Sequence, residues 1–199
     1  MSCSERKRMN TQNTAKTQSK QRLIILCESA MMIALAAALS FVKIKLWGNG
    51  GSVDLVMIPI ILLAYRRGAA WAIPAGLIFG LIKCLIGEGF GYGAISVLLD
   101  YVLAYGVVGV AGFFPRNAKG LAIGTAVASL CRFGVHFLSG VTVWKLAVGD
   151  SVDLFGAVYT GDTAVLYSVV YNGSYMLFNA IIAIAGVLLL KKAIDRIPK

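Results

Sequence analysis

Charge is what this chain has least of. Only 14% of its 199 residues are Asp, Glu, Lys or Arg, against 58% hydrophobic residues. A water-soluble domain of this size could not hide so much apolar surface, which excludes an ordinary soluble enzyme or binding module. Catalytic vocabulary is sparse too. There is one histidine, and no G-x-S-x-G elbow or H-E-x-x-H zinc spacing occurs, so no base-activated nucleophile is indicated. A G-x-x-x-x-G-K-[ST] loop is also missing; the chain cannot hydrolyse ATP by a P-loop, and any work it does draws on a partner or an ion gradient. The four cysteines (Cys3, Cys27, Cys84, Cys131) are far apart and form no C-x-x-C pair, which indicates neither a zinc site nor a disulfide framework. No cofactor is implied.

What the chain does have is long apolar runs. A membrane-crossing helix needs ~20 apolar residues, and segments 23–42, 53–65, 69–87, 94–114, 120–140 and 164–190 qualify or nearly qualify. The expectation is an all-α integral membrane bundle of six helices over residues 23–199. The second segment is short and carries Asp54 and Pro59; such a segment is tolerated only inside protein or beside a cavity, and it is read as cavity-lining.

The net charge of +10 could suggest nucleic acid, but the cations cluster at the termini and in short loops. With six spans and an inner N-terminus, the inner side collects Arg6, Lys7, Arg8, Lys16, Lys20, Arg22, Arg66, Arg67, Arg116, Lys119, Lys191, Lys192, Arg196 and Lys199. The outer side holds Lys43, Lys45 and Lys145. That asymmetry is the positive-inside pattern of a multi-pass plasma-membrane protein with both termini cytoplasmic. Residues 1–22 read as a basic cytoplasmic tail, disordered and not a cleaved signal, since no small-residue cleavage site follows a short apolar core. The loop 141–163 with Asp150, Asp153 and Asp162 is an outer lid or a solvated connection.

A handful of polar side chains lies inside these runs, where burial without partners is expensive. Arg132 and His136 are four apart and share a helix face; Trp144 follows eight residues later. Asp100 and Tyr101 lie in the fourth run. Tyr167, Tyr171 and Tyr175 form a stripe in the last, with Asn172 beside it, whose amide can both donate and accept. Each has a plain reading: a snorkelling arginine, a satisfied histidine, interfacial aromatics, or an internal Asp100–Arg132 ion pair. Taken together they have the composition of a pocket for a flat, hydrogen-bonding molecule, neutral or cationic. Small residues four apart (Ala30/Ala34, Ala34/Ala38, Gly76/Gly80, Gly120/Gly124) allow close helix approach, and the alanine run suits contact with another protein.

These residues carry a resemblance to a known family. Glu28-Ser29-Ala30-Met31-Met32, Ile58-Pro59-Ile60, Tyr65-Arg66-Arg67-Gly68, Leu99-Asp100-Tyr101, the Arg132/His136/Trp144 spacing and Tyr167-Ser168 with Tyr171-Asn172-Gly173 resemble the thiamine-specific S components (the ThiT family) of energy-coupling factor transporters. The resemblance implies a bacterial plasma-membrane protein, not an enzyme, that binds thiamine near the outer surface. It implies docking on a transmembrane coupling protein with two cytoplasmic ATPases. It places Asp100, Tyr101, Arg132, His136, Trp144, Tyr167 and Asn172 at ligand-contacting positions, with Trp144 stacking on a ring, and Ala30 and Ala34 on the docking surface. Some members have glutamate at the position of Asp100 and lysine at that of Arg132. An S component for another vitamin or heterocycle is the alternative, because such proteins share a fold while their pockets differ. A membrane enzyme using Asp100 and His136 as acid and base is a further one.

Overall fold

A computed structural model describes residues 3–47, 50–88, 93–143, 151–154, 157–160 and 163–197. At its centre is the shortest helix, α2 (Met57–Arg67), in which every residue from Met57 to Arg66 is buried. A helix that is buried on all faces can be apolar on all faces, and Met57-Ile58-Pro59-Ile60-Ile61-Leu62-Leu63 is just that. Eleven residues rise only about 16 Å, half of a bilayer core. Pro59 does no harm in the first turn, where its missing N–H would have had no intrahelical partner. At the far end Gly68 takes φ +86° and donates its N–H to Ala64 O at 2.8 Å, a backbone conformation that suits glycine.

Five further helices are long and apolar enough to cross a membrane. They are α1 (Cys3–Leu39), α3 (Ala69–Lys83), α4 (Ala94–Phe113), α5 (Ala118–Thr142) and α6 (Thr163–Asp195). The expected six segments are all there, with changed ends. Residues 53–54 belong to a hairpin and not to the second helix, and α2 is enclosed by protein along its length. The segment expected to be a disordered tail is helical from Cys3 onward. Its Lys, Arg, Gln, Glu and Ala are good helix formers, and residues 3–39 contain neither glycine nor proline.

The bundle is not purely helical. Antiparallel hairpins join α1 to α2 (β1, Lys43–Trp47, with β2, Gly50–Asp54) and α5 to α6 (β3, Ser151–Leu154, with β4, Ala157–Thr160). Lys43-Ile44-Lys45-Leu46 alternates with period two, the strand pattern. Both hairpins lie at one end of the bundle, called here the hairpin end. Arg66, Arg67, Arg116 and the end of α6 mark the basic end.

Helices α3 and α4 approach backbone to backbone. A side chain on Gly76 or Gly80 would strike the carbonyls of Tyr105 and Tyr101, and one on Gly109 or Gly112 would strike the backbone of α3. The Gly76/Gly80 pair is therefore internal packing. Along α4 the backbone departs from α geometry, with a π segment at Val97–Leu103 and a 3-10 segment at Val107–Phe113. The π segment carries Asp100 and Tyr101, and such insertions re-aim side chains locally. Helix α5 starts cleanly, because the Asn117 side chain accepts from Gly120 N at 2.8 Å. Large apolar side chains remain outside, Leu189 at 82% and Phe113 at 74% exposure, as expected of a surface solvated by lipid.

Candidate functional site

Near the hairpin end, Asp100 on α4 faces α5. Its Oδ1 lies 2.9 Å from His136 Nδ1, and its Oδ2 accepts from Ser96 Oγ at 2.8 Å and Ser139 Oγ at 2.6 Å. The sequence spacing explains the trio: Ser96 is one turn before Asp100, and Ser139 is nearly one turn after His136. A carboxylate only accepts, so Nδ1 is the protonated ring nitrogen. That leaves Nε2 as the group His136 can offer, and this buried atom has no hydrogen-bond partner among the described residues.

One turn deeper on α5, Arg132 does not pair with Asp100. Its guanidinium carbon sits 4.2 Å from the centroid of the Tyr105 ring, a cation–π contact. Arg132 is 4% exposed, and its Nε and Nη1 are buried without a hydrogen-bond partner among the described residues. The plain reading of these two residues, a snorkelling arginine and a satisfied histidine, fails on that observation.

Asn172 on α6 is buried and nearly saturated. Its Nδ2 donates to His136 O at 3.2 Å and Ser168 Oγ at 3.1 Å, while Oδ1 accepts from Tyr175 OH at 2.8 Å. Both amide protons are spent, so what the side chain retains is one lone pair on Oδ1. Its clearest effect is to fasten α6 to α5, where Gly140 leaves room for Ser168. The tyrosine stripe forms a continuous wall. Tyr167 stacks on Tyr171 (5.2 Å, 13°), Tyr171 meets Tyr175 edge to face (5.8 Å, 78°), and Tyr175 meets the His136 ring (5.9 Å, 71°). Tyr101 is half-buried beside Asp100, its carbonyl against Gly80. Trp144 lies outside the described residues.

Asp100, Tyr101, Arg132, His136, Tyr167 and Asn172 thus gather at one end of α4, α5 and α6. Sequence reasoning missed Ser96, Ser139 and Tyr175 as their supports, although helical spacing from Asp100, His136 and Asn172 would have found all three. It singled out Asp54 in the second segment but tied neither it nor Lys83 and Tyr105 to these residues, because no spacing rule does so. Lys83 Nζ donates to Asp54 Oδ2 at 3.2 Å and to Tyr105 OH at 2.6 Å, across three different elements.

At the basic end a second polar network holds other helices together. Glu28 on α1 receives Arg66 through Oε1 and Arg67 Nε through Oε2 at 2.6 Å. Arg66 Nη1 also donates to Ile194 O at 3.0 Å and Ile197 O at 3.1 Å, and Tyr65 OH donates to Asp195 at 2.9 Å. Beyond Glu28, Ala30, Ala34 and Ala38 face outward from the bundle, while Ser29 and Ala36 are buried against it.

Known proteins resemble this chain in sequence and in fold. A family model described as thiamine transporter protein matches residues 26–199. The thiamine transporter ThiT of Bacillus subtilis is 33% identical over 138 residues, covering 62% of this chain and 71% of the relative. The ThiT of Lacticaseibacillus paracasei is 29% identical over 144 residues, covering 64% and 71%. Among solved structures, ThiT from Listeria monocytogenes superposes with a TM-score of 0.73 at 25% identity, over 87% of this chain and 96% of that one. An S component of a bacterial ECF transporter gives 0.62 at 18% identity over 87% and 97%, a likeness of fold alone.

Proposed function

Because the chain belongs to the thiamine transporter protein family, we propose that it is the membrane subunit that captures thiamine for uptake across a bacterial plasma membrane. The observation that carries this reading is the Asp100–His136 pair beside three buried polar atoms that have no partner among the described residues, His136 Nε2 and Arg132 Nε and Nη1. Thiamine joins a flat aminopyrimidine, rich in donors and acceptors, to a cationic thiazolium. Buried donors and acceptors suit the first, and a carboxylate with aromatic walls suits the second. Asp100, Tyr101, Arg132, His136, Tyr167 and Asn172 are the contacts we assign, with Trp144 stacking on a ring. Asn172 contributes through its remaining lone pair and by fixing His136 O. Nothing in this set forms an activated nucleophile, in keeping with a transporter that returns its ligand unchanged.

With no ATP-binding loop of its own, the protein takes its energy through docking on a coupling module, a transmembrane protein with two cytoplasmic ATPases. The outward alanine face of α1 supports Ala30 and Ala34 as the contact, since small side chains let another helix approach closely. The basic end, and with it both termini, faces the cytoplasm on this reading.

Calorimetry on detergent-purified protein should give one-to-one binding of thiamine, recovered chemically unchanged. Saturable heat with a different vitamin and none with thiamine would reassign the site. Replacing Ala30 and Ala34 together with tryptophan should leave that binding intact while abolishing co-purification with the coupling module and uptake in cells. Loss of binding together with a lower melting temperature would place the alanines in internal packing instead.

A further inference from the structure

Below Asp100 and His136 the fold surrounds Arg132 with three more buried polar residues, to which the assignment above gives no role. Asp54 ends β2, Lys83 ends α3, Tyr105 is on α4 and Arg132 is on α5; none is more than 5% exposed. Two cations share one carboxylate, and Asp54 is committed to Lys83. Tyr105 stands between the cations. Its hydroxyl takes the Lys83 ammonium, its ring face carries the Arg132 guanidinium, and Phe79 packs edge-on against it at 4.7 Å and 81°. The ring is therefore fixed at its hydroxyl and at its flank.

Asp54 is itself anchored. Its N–H donates to Asn179 Oδ1 at 2.9 Å, Asn179 Nδ2 donates to Ser52 O at 2.9 Å, and Asp54 Oδ1 accepts from Val56 N at 3.3 Å. Anchoring of this kind makes physical sense for an arginine in an apolar interior. A carboxylate partner would stabilise the guanidinium but would consume its donors. A ring face stabilises the charge without taking up every N–H group of the guanidinium plane, and here Nε and Nη1 have no partner among the described residues.

We propose that Asp54, Lys83 and Tyr105 are positioning residues that hold Arg132 on the Tyr105 ring, so that its Nε and Nη1 stay available to a hydrogen-bond acceptor of bound thiamine. This rests on the thiamine reading of the site and adds three residues that do not themselves touch the ligand. It also ties the β1–β2 hairpin to ligand affinity, through Asp54.

The test is a double-mutant cycle on thiamine affinity, with melting temperature followed separately. Tyr105→Leu removes the ring face and should raise Kd about tenfold, whereas Tyr105→Phe keeps the face and should stay within about threefold. In an Arg132→Met background neither replacement should change Kd further, because the group they position is gone. Should Tyr105→Leu fail to fold, the charge-balanced pair Asp54→Asn with Lys83→Met serves the same cycle. A rise of about threefold, absent in the Arg132→Met background, is then expected. An equal loss of affinity in both backgrounds, or no loss from Tyr105→Leu, overturns the proposal and leaves these residues a structural role only. An unchanged protein that binds no thiamine overturns the reading of the site itself, a separate and recognisable failure.

Discussion

The bundle contains two polar networks, one at each end, each with buried members, and they differ in what they leave unsatisfied. At the basic end, Glu28, Arg66, Arg67, Tyr65 and Asp195 find partners in one another and in the carbonyls of Ile194 and Ile197. At the hairpin end, Asp100 accepts three hydrogen bonds, yet the histidine it holds and the arginine one turn below retain buried atoms with no partner among the described residues. Both networks are paid for by the same desolvation. Only the second keeps hydrogen-bonding capacity that a ligand could use. A closed network joins helices; an open one is a candidate site.

The sharpest way to break this comparison is Arg66→Met. It leaves Glu28 short of one partner and takes a donor from the carbonyls of Ile194 and Ile197, and breaking a buried pair costs about 3–5 kcal/mol. A large fall in melting temperature is expected, with thiamine affinity of the folded protein unchanged within about threefold. An affinity loss in step with the stability loss would mean that the two ends are not separable.

The counterpart at the other end is Asp100→Asn. Removing a charge from a hydrogen-bonded pair costs up to about 2–5 kcal/mol where the site is desolvated, or roughly thirty- to several-thousandfold in affinity, and Asp100 is half-buried. Thiamine should lose most, and an analogue lacking the fixed thiazolium charge should lose far less. Equal losses for both ligands would confine Asp100 to orienting His136.

A smaller effect should separate two glycines of the same interface. Overpacking costs about 1–3 kcal/mol, so Gly80→Ala and Gly112→Ala should lower stability comparably. Only Gly80 abuts Tyr101, next to Asp100, so only its replacement should also weaken thiamine. Equal affinity for the two variants would show that the π segment tolerates displacement.

Much of this was legible in the sequence. Six apolar runs predicted six helices because length and hydropathy are local properties, and the polar residues inside them stood out for the cost of burying them. The helical strip Arg132–His136 and the tyrosine stripe followed from a 3.6-residue period. The segment around Pro59 marks one limit: a short apolar helix is at home beside a cavity or inside solid protein, hydropathy does not distinguish the two, and here α2 is buried along its length. The polar tail illustrates a second limit, since polarity suggests disorder where residues free of glycine and proline form a helix from Cys3 onward.

By itself, then, the sequence determined membrane residence, the number of helices and which polar side chains had to find company, since each depends on neighbours within a few residues. It could not choose the company. Asp100 had both Arg132 and His136 as possible partners, and Asp54 and Lys83 are 29 residues apart on separate elements. The tertiary structure decided that His136 takes the carboxylate, that Lys83 takes Asp54, and that Arg132 is left on the face of Tyr105. Those choices depend on where α3, α4 and α5 cross, and the crossing is set by glycines whose missing side chains let backbones meet.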